Sequence, residues 1–546
     1  MACPASFGRG HEKTNQTANV TPKVSKISLI QAFIAIFRKG KLPCGLPRDK
    51  RLFNSALSLE QTMKCLFVYK TASLDITDPM GIMCLIANVK KHGHQSDLFL
   101  TNLEKDLFKS VKEYQPDVIG FSVTSGSENY YLELIRRLRK HVKFISIMGG
   151  PHPTFFPEII EKDEVDIICR GEGDEALVEL LDRLQEGKEY SDIRNLWVKK
   201  DGQVVKNPMR PLIQDLDSLP FPDRASFLKY YAYAHSSVKH FLSSRGCPYD
   251  CAYCFNHMLK KLYRDEAGPG QYCRLRSVEN VIREVEDVKN NYPLKIVYFH
   301  DDLFIMNKTW LKEFSAAYKA RVGLPMICYV RANLVNEEVV QCLKEANCIT
   351  IAMGVESGNE EIRKTVLKRN MTNEQIVNAA RLFHKYGISI MTQNMVGLPQ
   401  ETIENAYETI QVNTEIKPAY AWVSIFQPYP RTELHRFCIE KGYLDPTHKQ
   451  HASYQVESPI NTGMTKREFE NLHKFFALSI ESPLVRKLSR SLIRWPNNIV
   501  FNVIYRFFKG YTHIVRLKMS SGEIGFLGYL WDLLGYKVRR HLGKTY

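Results

Sequence analysis

The chain has 546 residues and a mass of 63.1 kDa, room for two to four domains. With 44% hydrophobic and 25% charged residues and a mean hydropathy of −0.28, it is neither a polytopic membrane protein nor a collagenous or linker-dominated chain. The net charge of +16 sits at the ends, +7 over residues 1–63 and +10 over residues 484–546, with −1 between them, which argues against a basic nucleic-acid channel through the body.

No apolar run reaches the ~18 residues of a spanning helix, and no apolar signal core with a small-residue cleavage site opens the chain. A cytoplasmic location is expected. Of thirteen Cys, ten are scattered singly and read as core fillers of a reducing compartment. Residues 1–61 form a basic extension, polar at first. Ile27, Leu29, Ile30, Phe33, Ile34 and Phe37 then recur at helical spacing ahead of Arg38, Lys39 and Lys41.

Residues 62–190 alternate between two periodicities. Lys64–Tyr69, Gln95–Leu100, Val118–Val123, Phe144–Met148 and Asp166–Cys169 read as strands. Gly81–His92, Leu103–Glu113, Asn129–His141 and Glu175–Gln185 read as helices. This predicts a five-stranded doubly wound (Rossmann-like) sheet with its ligand beyond the carboxyl ends of the strands. Ser122 and Thr124 fall at one such end, Gly149-Gly150-Pro151-His152 at another and Gly171-Glu172-Gly173 at a third. Glycines there let a bulky ligand approach the backbone, although each loop taken alone also reads as a turn. Residues 191–235 read as a linker.

Residues 236–435 repeat the alternation. Strand-like runs at Lys239–Ser243, Ile296–His300, Met326–Val330, Ile349–Gly354, Ile388–Gln393 and Val423–Gln427 are separated by helical patterns near 277–290, 310–322, 336–346, 359–367, 373–386 and 403–415. Six such units imply a parallel, right-handed (βα)6 partial TIM barrel whose active site lies at the carboxyl ends of its strands. After the first strand come Cys247, Cys251 and Cys254, spaced C-x3-C-x2-C. Three Cys do not close a four-ligand zinc site, although His257 could complete one. Three thiolates on one tight loop suit a 4Fe–4S cluster with one iron left open. The later strand ends carry His300-Asp301-Asp302, Arg331, Gly354-Val355-Glu356-Ser357-Gly358 and Asn394-Met395-Val396-Gly397-Leu398-Pro399; each polar residue reads equally well as a helix cap.

Residues 436–546 form a helical, basic end. Leu484, Leu488, Leu492 and Ile493 line one helix face beside Arg486, Lys487, Arg490 and Arg494. Ile499, Val500, Val503, Ile504, Phe507 and Phe508 repeat the pattern, and Phe526–Trp531 follows. Two readings stay open: a helical cap packed on the barrel mouth, or a peripheral contact of the basic ends with the inner membrane surface.

The three-cysteine spacing, with Tyr253 before the last Cys, resembles the signature of the radical S-adenosylmethionine (SAM) superfamily. The resemblance implies that Cys247, Cys251 and Cys254 hold a 4Fe–4S cluster whose open iron chelates SAM. It implies SAM contacts at Tyr253, Asp301, Asp302, Arg331, Glu356, Ser357, Val396 and Gly397. The loops of residues 62–190, with the joining segment Leu216–Pro222, look like the cobalamin-binding domain of cobalamin-dependent members. That likeness covers roughly residues 62–435 and implies corrin contacts at Asp78, Gly81, Ser122, Thr124, Gly149, Gly150, Pro151, His152, Gly171, Glu172 and Gly173. One departure is that the first loop, Asp75 to Gly81, lacks the cobalt-ligating His of methionine-synthase-like domains.

For function, the resemblance implies cleavage of SAM to a 5′-deoxyadenosyl radical, hydrogen abstraction from an unactivated carbon of a natural-product or lipid-like small molecule, and methylation of that carbon through methylcobalamin. It also implies an external one-electron donor of flavodoxin or ferredoxin type. No nucleic-acid partner is expected. Two alternatives stay open: a cyclase or another non-methylating radical enzyme, and a non-catalytic cobalamin or iron–sulfur sensor.

Overall fold

The computed structural model describes residues 62–71, 78–448, 459–512 and 516. The chain divides into two units, Met1–Gln61 and Thr62–Tyr546. The first lies outside the described residues, and with it the amphipathic segment expected at 27–37; residues 526–531 lie outside them too.

The second unit opens with a seven-stranded sheet. Its strands are β1 (Lys64–Tyr69), β2 (Gln95–Leu100), β3 (Val118–Ser122), β4 (Ile145–Gly149), β5 (Ile167–Cys169), β6 (Leu196–Lys200) and β7 (Gln203–Lys206), in the order β2-β1-β3-β4-β5-β6-β7. The first five are parallel, and the inner ones are largely apolar because helices cover both faces, whereas β2 at the edge opens with Gln95-Ser96-Asp97. On one face α1 (Met80–Lys91) and α5 (Asp174–Gln185) bury Ile82, Ile86, Leu177 and Leu180. On the other, α2 (Leu107–Tyr114) and α3 (Glu128–Leu138) bury Val111, Leu132 and Ile135; the short α4 (Pro151–Phe155) follows β4. The order reverses between β1 and β3, which opens a crevice at their carboxyl ends.

The sheet has two strands more than expected. β6 and β7 fall in the segment read as a linker and pair antiparallel through Asp201-Gly202. Both turn residues have positive φ (50° and 77°), as a two-residue hairpin turn demands.

The barrel follows: β8 (Val238–Phe241), β11 (Ile296–Phe299), β12 (Met326–Val330), β13 (Cys348–Glu356), β14 (Ser389–Val396) and β15 (Tyr420–Ile425) lie side by side in chain order, all parallel. Phe241, Val297 and Phe299 pack outward on the helices at 278–291 and 308–321. His240, Tyr298 and His300 alternate to the inner side. The helix expected near 359–367 is a π-helical turn, Ile362–Val366, wound where the fully buried Arg363 donates to the carbonyls of Ser357 (2.5 Å) and Met371 (2.9 Å). Between β8 and β11 a two-strand bridge, β9 (Ser244–Arg245) with β10 (Arg274–Leu275), closes the base of a long excursion that holds α6 (Phe255–Glu266).

At the end of the chain, helix Lys466–Glu481 seals the barrel with Phe469, Leu472 and Phe476 against Tyr407, Ile410 and Ile425. The stripe expected over 484–493 does not pack as one: Ile493 is buried, whereas Leu484 and Leu488 face solvent.

Buried charge joins the sheet domain to the barrel. Arg224 Nη1 donates to Asp78 Oδ2 (3.2 Å), and its Nη2 donates to Glu284 Oε1 (3.2 Å) and to the His240 carbonyl (2.6 Å). His240 N donates to Asp78 Oδ2 (3.1 Å). Arg170 grips Glu266 through two bonds of 2.7 Å, and Glu172 accepts from Arg245 (3.0 Å) and Arg274 (2.8 and 2.9 Å). Removing one partner of a buried pair strands the other. Asp78→Ala is therefore expected to destabilise the full chain by about 3 kcal/mol in denaturant unfolding, and an unchanged midpoint would contradict this joint.

Candidate active site

The cysteine loop is pinned on both sides. Ala252 N donates to Leu367 O (3.0 Å) and Leu434 N to Ala252 O (2.9 Å), and the loop turns where Cys254 N donates to Cys251 O (3.0 Å). Cys251 is buried; Cys247 and Cys254 are half-buried. Among the described residues no three His, Cys, Asp or Glu side chains converge on a single-ion site. His257 turns its Nδ1 to Asp250 (3.0 Å). Three thiols carried on one loop fit a multi-iron cluster. Burial raises the Cys247 thiol and pushes Cys254 up to about 11, and the charge of Asp302 adds to both. Cluster assembly at this loop therefore displaces thiol protons.

Two guanidiniums face Cys251. Arg331 Nη1 lies 3.6 Å and Arg369 Nη1 4.0 Å from its Sγ. Arg331 stacks on Tyr249, 3.8 Å from the ring centre, and donates to Asn333 (2.8 Å). Arg369 donates to Gly354 O (2.8 Å), lies 4.0 Å from Glu356, and keeps its buried Nε without a partner. Glu356 sits at a bulge between β13 and β14 with φ of +66°, a strained position for a side-chain-bearing residue. A Cβ on Gly354 would come within 2.5 Å of Glu356 Oε1 and 2.8 Å of Arg369 Nη2, so a side chain there would displace both. Burial raises the Glu356 carboxyl, while Arg369 and a hydrogen bond from Tyr253 pull it down. Thiols, two guanidiniums and two carboxylates, Glu356 and Asp302, thus share one end of the barrel.

Not every candidate for SAM contact joins this group. Asp301 is enclosed: it accepts from Ser243 N (3.0 Å), from Ser243 Oγ (2.8 Å) and from Ser244 Oγ, tying β8 to β11. The buried Ser357 gives its carbonyl to Arg363. Val396 packs its side chain outward beside Phe469 and Leu472, and its carbonyl accepts from Phe426 N (2.8 Å). Gly397, at φ +82°, is buried, and its N–H donates to Glu401 (2.5 Å).

At the crevice of the sheet, Ser122, Thr124, Gly149, Gly150, Pro151 and His152 share one edge. Gly150 has φ of +94°, and a Cβ there would lie 3.1 Å from the Val123 backbone. His152 Nδ1 is 3.2 Å from Ser125 Oγ, and burial lowers its imidazole below the ordinary range. No atom stands within 4 Å of a Cβ built on Gly81, at the start of α1. A glycine-lined edge carrying two hydroxyls fits a flat, bulky ligand. The remaining candidates for corrin contact are used elsewhere. Asp78 lies in the joint with Arg224. Glu172 is held by Arg245 and Arg274. Gly171 lies so close to Tyr263 that a Cβ would meet its hydroxyl at 2.1 Å. Gly173 backs onto Cys169.

Aromatic rings connect crevice and cysteine loop. Phe155 of α4 stacks on Phe255 (5.1 Å), the residue after Cys254, and Phe255 meets Tyr429 at the last strand end with its ring tilted by 39° (5.1 Å). Inside the barrel His300 lies 4.5 Å from His240 and 4.1 Å from Tyr298, whose hydroxyl donates to Tyr329 (3.1 Å). His300 Nε2 is buried without a partner, and burial with the neighbouring His240 pushes the ring down to about 3, so it stays neutral. Sequence reasoning missed Arg369, Glu401 and this His–Tyr group. Arg369 follows Lys368 in a loop and looks like a solvated cation. His300 had a signal, since it opens the His-Asp-Asp run at a strand end.

The B12 binding domain family matches residues 68–181 and the Radical SAM superfamily residues 241–412. An uncharacterized methyltransferase of Pyrococcus horikoshii is 30% identical over 380 residues, 67% of this chain and 79% of its own length. An anaerobic magnesium-protoporphyrin IX monomethyl ester cyclase of Rubrivivax gelatinosus is 25% identical over 450 residues, 76% of this chain and 77% of its own. Among solved structures, the cobalamin-dependent S-adenosylmethionine radical enzyme OxsB with aqua-cobalamin bound has the same fold, with a TM-score of 0.61 at 16% identity, over 89% of this chain and 77% of that one. So does the radical S-adenosylmethionine methyltransferase TsrM of Kitasatospora setae, with cobalamin and a [4Fe-4S] cluster bound, with a TM-score of 0.59 at 17% identity, over 70% of this chain and 78% of that one.

Glu401 offers a test of the loop at the end of β14. Burial pushes its carboxyl up to about 8, against the backbone N–H groups of Leu398 and Gly397. The folded state therefore favours the protonated form. Its stability is greatest below the ordinary carboxyl range and falls as pH rises from about 4.5 toward 8, by a few kcal/mol in all. Glu401→Gln, which keeps the acceptor and removes the titration, is expected to flatten that part of the stability–pH curve measured by thermal unfolding. A curve as steep as the parent's would contradict this.

Proposed function

The chain belongs to the radical SAM superfamily, in the branch that carries a B12-binding domain, and from that footing we propose that it methylates an unactivated carbon of a small organic substrate. The observation that supports this most is the Phe155–Phe255–Tyr429 ring cluster, which brings the crevice of the sheet beside the cysteine loop. When bound, the cluster with SAM supplies a one-electron route to breaking a C–H bond, and cobalamin supplies the methyl group.

The chain's own part is to hold and to exclude. Cys247, Cys251 and Cys254 hold the cluster. Arg331 and Arg369 present two fixed cations for a carboxylate beside Cys251, and Glu356 and Asp302 offer acceptors for an ammonium group. Tyr253 orients Glu356, and the Gly397 backbone shapes the wall opposite. Ser122, Thr124, Gly149, Gly150 and His152 receive the edge of the corrin. Phe155, Phe255 and Tyr429 keep water from the space between. His240, Tyr298, His300 and Tyr329 line the substrate side. His300 Nε2, neutral and unpartnered, is placed to hydrogen-bond an uncharged polar atom of the substrate. An external flavodoxin- or ferredoxin-type donor supplies the electron. No described cysteine is paired in a disulfide. A second reading, cyclisation without methyl transfer, draws support from the Rubrivivax gelatinosus relative.

The test is anaerobic. Iron- and sulfide-reconstituted protein, given a reductant and SAM carrying a labelled methyl group, is expected to release 5′-deoxyadenosine and to place label on added cobalamin. Cys251→Ala should abolish the first product. Loss of the His300 contact in His300→Phe should leave SAM cleavage within about twofold of the parent. Cleavage without any label on the corrin would favour the cyclase-type reading, and no cleavage at all would overturn both.

A further inference from the structure

Among the described residues the last two helices expose an unusual amount of apolar surface. Helix Pro483–Leu492 presents Leu484 (66% exposed) and Leu488 (50%), and Trp495 (56%) follows in the turn. Helix Ile499–Tyr511 presents Ile499, Val503 and Phe507 at four-residue spacing, each more than half exposed. The opposite side of this helix is satisfied: Phe501 is buried edge-on against Phe475, 4.8 Å away. The helices are also fixed to the enzyme body. Ser489 Oγ meets the Tyr407 hydroxyl at 2.7 Å, and Arg490 lies over the Tyr407 ring at 4.1 Å. Monomeric soluble proteins seldom leave such a patch open without a partner.

Charge identifies the partner. Residues 484–511 hold six Lys or Arg and no Asp or Glu. A second copy docking through the same face would set like charge against like. The remainder of the chain, residues 512–546, adds six Lys or Arg against two Asp or Glu and carries the same sign. A surface of anionic phospholipid complements both properties, taking the apolar stripe at the headgroup boundary and the cations on its phosphates. Trp495 and Tyr511 are of the type that settles at that boundary. We propose that the helices Pro483–Leu492 and Ile499–Tyr511 dock the enzyme on the surface of an anionic lipid bilayer. No described helix is long and apolar enough to cross a membrane, so the contact is peripheral. It does not depend on which reaction the barrel performs.

The full-length protein should float with vesicles of phosphatidylcholine and phosphatidylglycerol in equal parts, and not with phosphatidylcholine alone. Added salt should release it. Replacing Lys487 and Lys509 together by Ser should weaken binding by about twenty-fivefold, at about fivefold per cation. Ile499→Asp with Val503→Asp, both exposed, should abolish flotation while leaving thermal unfolding at the parent's temperature. Absence of flotation by the folded parent would overturn the proposal. So would flotation unaffected by the Ile499 and Val503 changes, or a dimer in solution that those changes dissociate.

Discussion

Everything in this molecule that bears on chemistry depends on a set of ion pairs buried where the sheet domain meets the barrel. Arg224 lies between Asp78 of one domain and Glu284 of the other, and Glu172 lies between Arg245 and Arg274. Charges taken out of water hold their place only with partners at the right distance, so these pairs specify one docking geometry rather than a range. Arg245 belongs to the bridge that closes the base of the cysteine excursion. The contact that orients the sheet domain therefore also anchors the loop that carries the thiols.

From that geometry the electrostatics of the site follow. Arg331 and Arg369 bring positive charge to Cys251, while Asp302 brings negative charge to Cys247 and Cys254. The loop is thus polarised along its length. The strained Glu356, with the glycine at 354, faces Arg369 at the same end. Deeper in the barrel the charged groups give way to His300, Tyr298 and Tyr329. A rim of paired cations and carboxylates suits a zwitterionic ligand.

The fold was largely legible in the sequence because both domains are parallel α/β units whose buried strands are continuous apolar runs separated by amphipathic helices. The hairpin at 196–206 was overlooked although Asp201-Gly202 is a strong turn signal; the segment lies between two domains and was weighed as a connection. The site was legible where local chemistry is singular, as at the three cysteines. It was less so where one residue type serves two purposes. Asp301 and Asp302 are adjacent and identical in sequence, yet one pins two strands and the other faces the thiols. Glu172 and Asp78 looked like ligand contacts and form the joint between domains; partner arginines 73 and 102 positions from Glu172 and 146 from Asp78 leave no local trace. Arg369 was invisible for the same reason, since its meaning lies in Cys251, 118 residues earlier.

The central claim is that the crevice of the sheet and the cysteine loop hold their cofactors face to face. The most direct measurement is electron paramagnetic resonance of the anaerobically reconstituted full chain loaded with hydroxocobalamin and reduced, so that cob(II)alamin and the reduced cluster are both paramagnetic. The account predicts about one corrin retained per chain, with magnetic coupling between the two centres. Corrin that washes away from a cluster-loaded protein, or two uncoupled signals, would contradict it.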